Sequence, residues 1–177
     1  MPMTMNSSGI RDISRVLCIS TNTVLKTIRE RAAQIVEPRL PPRIRNLEVD
    51  EVWSFIRAKS EQCWLWYGFN RATRRIAAYV LGRRTDNSCQ HLVEKLSACQ
   101  VENYYTDDWQ SYAKSLDAKH HHIGKDGTQN IERHNLNFRT HIKRLHRRTI
   151  CFSKSAQMHE AVIKLYVNHS NAWQHKL

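Results

Sequence analysis

The chain has 177 residues, of which 41% are hydrophobic, so it can form the core of one medium-sized domain with a small appendage. Its 28 Lys and Arg outnumber 16 Asp and Glu, and the resulting net charge of +12 favours a polyanionic partner. No stretch approaches the apolar length of a transmembrane helix, and the N-terminus lacks the apolar region of a signal peptide. With five scattered cysteines and no Cys-x-x-Cys pair, we expect a cytoplasmic, nucleoid-associated protein.

Residues 10–36 have the pattern of two short helices around a polar break. Ser20 or Thr21 is placed to cap the second helix by accepting a backbone N–H bond. Helix, tight turn and helix is the helix-turn-helix pattern, so we predict a DNA-binding segment over residues 1–37, with an ordinary basic helical hairpin as the alternative. The side chains suited to base edges and phosphates are Asn22, Thr23, Lys26 and Arg29.

A proline-rich segment over residues 38–46 predicts an extended linker, because proline cannot continue a helix. The remainder, residues 47–177, alternates strand and helix patterns. The predicted strands are 47–56, 62–69, 75–81, 101–106 and 119–123. The predicted helices are 87–99, 109–116, 128–148 and 155–170. This order is typical of a ribonuclease H-like α/β fold, a mixed sheet flanked by helices, although a fold does not establish an activity.

Three carboxylates far apart in the sequence are expected to converge in this fold. Asp50 lies within the first strand, Asp107 ends the fourth, and these two strands are neighbours in the predicted sheet. Glu132 lies near the start of the long helix, which can place it beside both strands. Each of the three acids, taken alone, fits an ordinary surface or turn position, and only their combination in one fold favours a shared site. Neighbouring acids remain alternatives as ligands: Glu48, Glu51 and Asp108.

Carboxylates in a strongly basic chain point to metal-dependent cleavage and joining of nucleic-acid strands. Two divalent ions promote attack on a phosphodiester, because one activates the attacking oxygen and the other stabilises the leaving oxygen. Mg²⁺ prefers oxygen ligands, and Mn²⁺ is an alternative. Arg139 lies two helical turns beyond Glu132 on the same side, where it can hold a phosphate. We expect the basic stretch 139–154 to grip DNA. The predicted DNA-binding residues that follow Glu132 in the sequence are Arg133, Arg139, Lys143, Arg144, Arg147 and Arg148.

Residues 47–172 resemble the catalytic part of the InsAB-type transposases, the family typified by insertion sequence one. The matching stretches are 48–53 (EVDEVW), 58–60 (AKS), 106–109 (TDDW), 131–137 (IERHNLN) and 152–155 (FSKS). The resemblance implies a DDE transposase with a ribonuclease H-like fold and two Mg²⁺ ions. It makes Asp50, Asp107 and Glu132 the metal-binding triad and places Arg139 at the basic position that follows the glutamate in many such enzymes.

Two departures from that family keep other functions open. The family's full enzyme has a zinc-binding finger with paired cysteines before its helix-turn-helix, and no such pair precedes residue 10 here; Asp108 stands where glycine is usual. The expected function is a DNA transposase acting on element ends and target DNA. It is expected to act as at least a dimer, since two ends are cut together. The alternatives are a truncated DNA-binding regulator of transposition and a structure-specific nuclease of the same fold.

Overall fold

The computed structural model describes residues 2–173 and contains one five-stranded mixed sheet. Its strands are β1 (Arg43–Ile56), β2 (Ala58–Asn70), β3 (Arg75–Gly82), β4 (Gln100–Thr106) and β5 (His121–Ile123). The strand order is β3-β2-β1-β4-β5, in which β2 runs antiparallel to β1 and β3, whereas β1, β4 and β5 are mutually parallel. This order and these directions are those of the ribonuclease H-like fold, and the fold prediction is confirmed.

Helices cover both faces of the sheet. They are α1 (Ile10–Leu17), α2 (Thr21–Ala33), α3 (Asp86–Leu96), α4 (Gln110–Ser115), α5 (Gln129–His141) and α6 (Ala156–Trp173). One hydrophobic cluster joins α1, α2, α5 and α6 to one face, and a second joins α3 and α4 to the other. Within the described residues, no helix is long and apolar enough to cross a membrane.

The two predicted N-terminal helices are present, and Ser20 caps α2 by accepting a hydrogen bond from the backbone N–H of Thr23 at 3.0 Å. Val24, Ile28 and Ala32 recur every four residues on α2 and belong to the same hydrophobic cluster as α6. These helices therefore share a core with the sheet. The predicted domain boundaries and the DNA-binding role of this segment stay predictions.

Several element boundaries differ from the sequence prediction, and β1, β2 and α5 differ by four residues or more. Strand β1 begins at Arg43, inside the predicted linker, because residues 43–48 pair in parallel with β4. The predicted long helix over 128–148 was wrong, since α5 ends at His141 and a 3₁₀ helix, Lys143–Leu145, follows. Ile142 adopts an extended backbone conformation, and no glycine or proline marks this break in the sequence.

A buried carboxylate on β1 fixes the start of α5. Glu48 is fully buried and accepts hydrogen bonds from the backbone N–H of Ile131 at 2.7 Å and from the side-chain amide of Asn130 at 2.8 Å. Arg71, which follows β2, donates to the same carboxylate at 2.6 Å. A carboxylate at a helix N-terminus satisfies unpaired N–H groups and interacts favourably with the helix dipole. Glu48 thereby holds α5 against the strand that carries Asp50.

Replacement of Glu48 by Ala should destabilise the fold strongly. The guanidinium of Arg71 and the first N–H groups of α5 would lose their buried partner, so we expect the free energy of unfolding to fall by about 3 kcal/mol. Denaturant titration followed by circular dichroism measures this loss. Glu61→Ala is the control, because it breaks an exposed pair with Arg57 and should change stability by less than about 1 kcal/mol. Equal losses in the two variants would contradict the role of Glu48.

Candidate active site

The parallel pairing of β1 and β4 brings two of the predicted carboxylates together. Glu48 lies opposite Tyr105 in the register, and two residues further along the chain are Asp50, still on β1, and Asp107, which directly follows β4. Oxygen atoms of Asp50, Asp107 and Glu51 all lie within 4.8 Å of one another. Asp108, the acidic neighbour of Asp107, is exposed and outside this group.

Asp50 is enclosed on the α5 side of the sheet. One carboxylate oxygen accepts the backbone N–H of Glu51 at 2.7 Å, and the other accepts the side-chain amide of Asn135 at 2.5 Å. Burial, reinforced by the negative charges of Glu51 and Asp107, raises the pKa of Asp50 to about 7 despite these hydrogen bonds. A deprotonated Asp50 is therefore energetically unfavourable until a cation compensates its charge.

Glu51 points to the opposite face and is already paired with protein groups. Arg84 contacts one carboxylate oxygen at 2.6 Å, and the hydroxyl of Tyr112 donates to the other at 2.6 Å. Arg84 also lies over the ring of Trp109, 4.7 Å from its centroid. Burial raises the pKa of Glu51, while the bonds from Tyr112 and Arg84 oppose that rise. Both oxygens of Glu51 thus have partners that a metal ion would have to compete with.

Glu132 lies on α5, outside the group of three carboxylates. Its side chain is exposed, and one oxygen accepts a hydrogen bond from the hydroxyl of Thr128 at 3.3 Å. Asn135, one turn further along α5, contacts Asp50 directly. The structure therefore places Glu132 on the helix that lies against Asp50, with its carboxylate turned towards the start of that helix.

Arg139 follows Asn135 by one more turn and is partly buried. Its Nε is buried without a hydrogen-bond partner among the described residues. Burial and the nearby charge of Arg147 lower the pKa of Arg139, whereas attraction to Asp50 opposes that change. A partly buried guanidinium beside an acidic group is suited to hold an anionic oxygen with its accessible N–H groups.

The other predicted DNA-binding side chains fall into two classes. Those exposed to solvent are Asn22, Thr23, Lys26, Arg29, Arg133, Arg147 and Arg148. Lys143 is half-buried and lies 3.6 Å from Asp12. Arg144 is directed into the protein, where it donates to the hydroxyl of Ser153 at 2.9 Å, and burial lowers its pKa to about 10. The structure thus gives Arg144 bonding partners inside the fold.

Two residues that the sequence analysis did not single out orient Asp50. The buried hydroxyl of Tyr67 donates to the side-chain oxygen of Asn135 at 2.6 Å, which fixes the amide so that its NH₂ group faces Asp50. Asn135 lies within the motif 131–137, three residues after Glu132, and this helical spacing was the available signal. Tyr67 offered no signal beyond its place in an aromatic strand.

The group of three carboxylates suits a divalent cation chemically. Hard cations such as Mg²⁺ and Mn²⁺ prefer carboxylate oxygens, and Asp50 and Asp107 provide such oxygens without a Lys or Arg partner among the described residues. The raised pKa of Asp50 shows that its negative charge lacks compensation from the protein. The residues present therefore fit the metal that the sequence predicted.

Comparison with known proteins agrees with this geometry. The profile of the IS1 transposase family matches residues 44–173, which include β1, β4 and α5. The chain belongs to the IS1 transposase family. Insertion element iso-IS1n protein InsB of Shigella dysenteriae is 46% identical over 120 residues, covering 68% of this chain and 92% of that protein. Insertion element IS1 9 protein InsB of Escherichia coli (strain K12) is 41% identical over 149 residues, covering 82% and 87%.

Family membership makes the chain a transposase of an insertion element, a protein that cleaves and transfers DNA strands with divalent metal. Among solved structures, a chain of the simian T-cell lymphotropic virus intasome in complex with PP2A regulatory subunit B56 gamma aligns with 92% of this chain and 63% of its own length. The identity is 12% and the TM-score 0.39, values too low to bear on this protein. DNA is the polyanion that the net charge of +12 predicted.

The raised pKa of Asp50 predicts a pH dependence of stability that metal should oppose. Burial raises the pKa of Asp50 in the folded chain to about 7, whereas the ordinary pKa of Asp is 3.8. The stabilising contribution of protonated Asp50 is therefore fully present below pH 4 and is lost as the pH rises through 7. Because a divalent ion binds the deprotonated form, we expect Mn²⁺ to raise the Tm more at pH 8 than at pH 5.

Differential scanning fluorimetry of the wild type and of Asp50→Asn measures this effect. The variant cannot acquire the unfavourable charge, so its Tm should fall less between pH 5 and pH 8, and the Mn²⁺-dependent rise should shrink. An undiminished Mn²⁺-dependent rise in Asp50→Asn would show that the ion binds elsewhere.

Asn135→Ala should weaken metal binding while the fold is retained. Loss of the donor leaves Asp50 free to change rotamer, and we expect roughly tenfold weaker Mn²⁺ affinity by isothermal titration calorimetry. Tyr67→Phe should have a smaller effect, because the amide of Asn135 remains but is free to flip. Asn137→Ala, at an exposed position on the same helix, is the matched control. Wild-type affinity in Asn135→Ala would refute its role in orienting Asp50.

Proposed function

We propose that the chain cuts the 3′ strand at each end of its insertion element and joins the freed 3′-hydroxyl to target DNA. The observation that carries this proposal is the convergence of Asp50, within β1, with Asp107, at the end of the parallel strand β4, against a helix that presents Glu132 and Arg139. Both reactions are in-line displacements at a phosphodiester, so one site can perform them in succession.

In this proposal Mg²⁺, or Mn²⁺ in its place, is held by Asp50, Asp107 and Glu132. When bound, such ions activate the attacking oxygen and stabilise the leaving one. Asp50 is held in orientation by Asn135 and by the N–H of Glu51, so its lone pairs are directed before DNA arrives. Arg139 binds a non-bridging oxygen of the phosphate with the accessible part of its guanidinium.

Glu132 is proposed as the third ligand in preference to Glu51. The carboxylate of Glu51 is engaged by Arg84 and Tyr112 on the opposite face of the sheet. Among residues 2–173, the carboxylate of Glu132 has only a long hydrogen bond to Thr128, and a side-chain rotation frees it. Asn135 already contacts Asp50, and Glu132 lies one turn earlier on α5. Glu132 is therefore within reach of a metal ion bound to the carboxylate of Asp50.

The exposed basic residues are proposed to hold DNA on either side of these carboxylates. The polar side of α2 is exposed, as recognition by a helix-turn-helix requires. Cutting two element ends together requires at least two copies of the chain, so we propose a homo-oligomer assembled on DNA. Its place in the cell is then the cytoplasm, in association with the nucleoid.

A strand-transfer assay tests the proposal. The purified chain is incubated with Mg²⁺, a pre-cleaved duplex of its element's terminus ending in a 3′-hydroxyl, and a plasmid target. We expect joined product from the wild type and none from Asp50→Asn, Asp107→Asn or Glu132→Gln, with DNA binding retained in all three. Glu51→Gln is the matched control and should still join, because the amide oxygen of glutamine can accept the bond from Arg84 while its NH₂ group donates to the hydroxyl oxygen of Tyr112.

Three other outcomes of the assay would contradict the proposal. Joining that persists in Asp107→Ala would refute the assignment of the site. Salt-sensitive DNA binding without any joining would favour the DNA-binding regulator. Cutting of DNA or of RNA–DNA hybrids without joining would favour a structure-specific nuclease.

A further inference from the structure

The loop over residues 146–155, here called the basic loop, combines exposed cations with an exposed apolar tip. No acidic residue occurs between Glu132 and Glu160, so this part of the chain carries only positive charge. Ile150 is 94% exposed, more than any other large hydrophobic side chain among residues 2–173. The exposed charged neighbours are Arg147, Arg148 and Lys154.

Both ends of the basic loop are anchored in the protein. Leu145, just before it, is 1% exposed, and Ser153, near its end, is also 1% exposed. The carbonyl of Ser153 accepts the backbone N–H of Arg57 at 2.7 Å, and its hydroxyl is bonded to His159 at 2.7 Å. The tip is therefore carried by a short segment between two fixed points.

Local contacts further restrict the tip. The hydroxyl of Thr149 accepts the backbone N–H of Cys151 at 2.9 Å, which closes a turn around Ile150. The ring of Phe152 packs on that of Phe55 with centroids 5.3 Å apart. Ile150 is therefore presented to solvent from a turn with defined contacts on its C-terminal side.

The basic loop is linked to the carboxylates through β1 and Arg139. Ser153 forms a bridge with Ile56, the last residue of β1, and Asp50 lies six residues earlier on that strand. Arg139 interacts electrostatically with both Arg147 and Asp50. A DNA backbone bound at the carboxylates can thus continue along Arg139 to the basic loop.

We propose that Ile150 inserts between two stacked base pairs of the bound DNA and kinks it, while Arg147 and Arg148 hold the adjacent phosphates. Proteins that bend DNA use apolar side chains as wedges of this kind, with cationic neighbours on the backbone. The inference rests on the proposed function, because it requires duplex DNA in the site. Charge selects DNA over a protein partner, since the exposed charged residues around the tip are all cations.

A kink at this position serves the proposed reaction. Unstacking one base step redirects the backbone, so a phosphodiester can approach carboxylates that are recessed between β1 and α5. The energy of unstacking depends on the step, so the wedge favours flexible pyrimidine–purine steps without reading a base edge.

The wedge is tested with a duplex of the element's terminus and its flanking DNA, in which 2-aminopurine replaces one adenine at a time. Its fluorescence rises where a base is unstacked. We expect a rise at one step with the wild type, its loss in Ile150→Ala and its retention in Ile150→Leu. Joining by Ile150→Ala should be roughly tenfold slower, and an unpaired mismatch at that step should restore it. Val36→Ala, 82% exposed and outside the basic loop, is the matched control.

The outcomes separate the wedge from the proposed function. Joining by the wild type without any fluorescence rise refutes the wedge and leaves the transposase mechanism standing. Slow joining by Ile150→Ala that a mismatch does not restore also refutes the wedge and indicates a contact with a second protein copy. Absence of both joining and DNA binding in the wild type refutes the proposed function itself.

Discussion

A buried carboxylate on the first strand holds the helix that carries half of the candidate site. Glu48 binds the N-terminus of α5 and the guanidinium of Arg71 together, with no exposed surface of its own. Burying this charge is unfavourable unless all of its hydrogen-bond partners are in place. These bonds therefore fix the position of α5 against β1. Asn135 then reaches Asp50, and Glu132 and Arg139 are placed one turn to either side.

The fold separates two kinds of charge. Acidic oxygens from the middle of β1 and the end of β4 converge, and burial and mutual repulsion raise the pKa of Asp50 to about 7. Cationic side chains are exposed on α2, α5 and the basic loop. Such a surface attracts DNA by its overall charge, while the recessed carboxylates attract divalent cations. A bound metal ion thus compensates the negative charge of the carboxylates, and the DNA backbone compensates the positive charge of the surface.

The sequence was most informative where periodicity and strand order decide the structure. Alternating apolar residues and their order along the chain predicted the sheet and the convergence of Asp50 with Asp107. The long helix was predicted too long, because buried Ile142 and Leu145 keep helical spacing although the backbone leaves the helix at Ile142. The roles of Glu48 and Asn135 depend on contacts between segments more than 80 residues apart, which one sequence does not show.

The most direct measurement is the anomalous diffraction of Mn²⁺ in crystals of the chain bound to its terminal duplex. The account predicts an ion between Asp50 and Asp107, with Glu132 turned from Thr128 to ligate it and Glu51 still bonded to Arg84 and Tyr112. An ion held by Glu51, with Glu132 remaining on Thr128, would contradict the proposed triad.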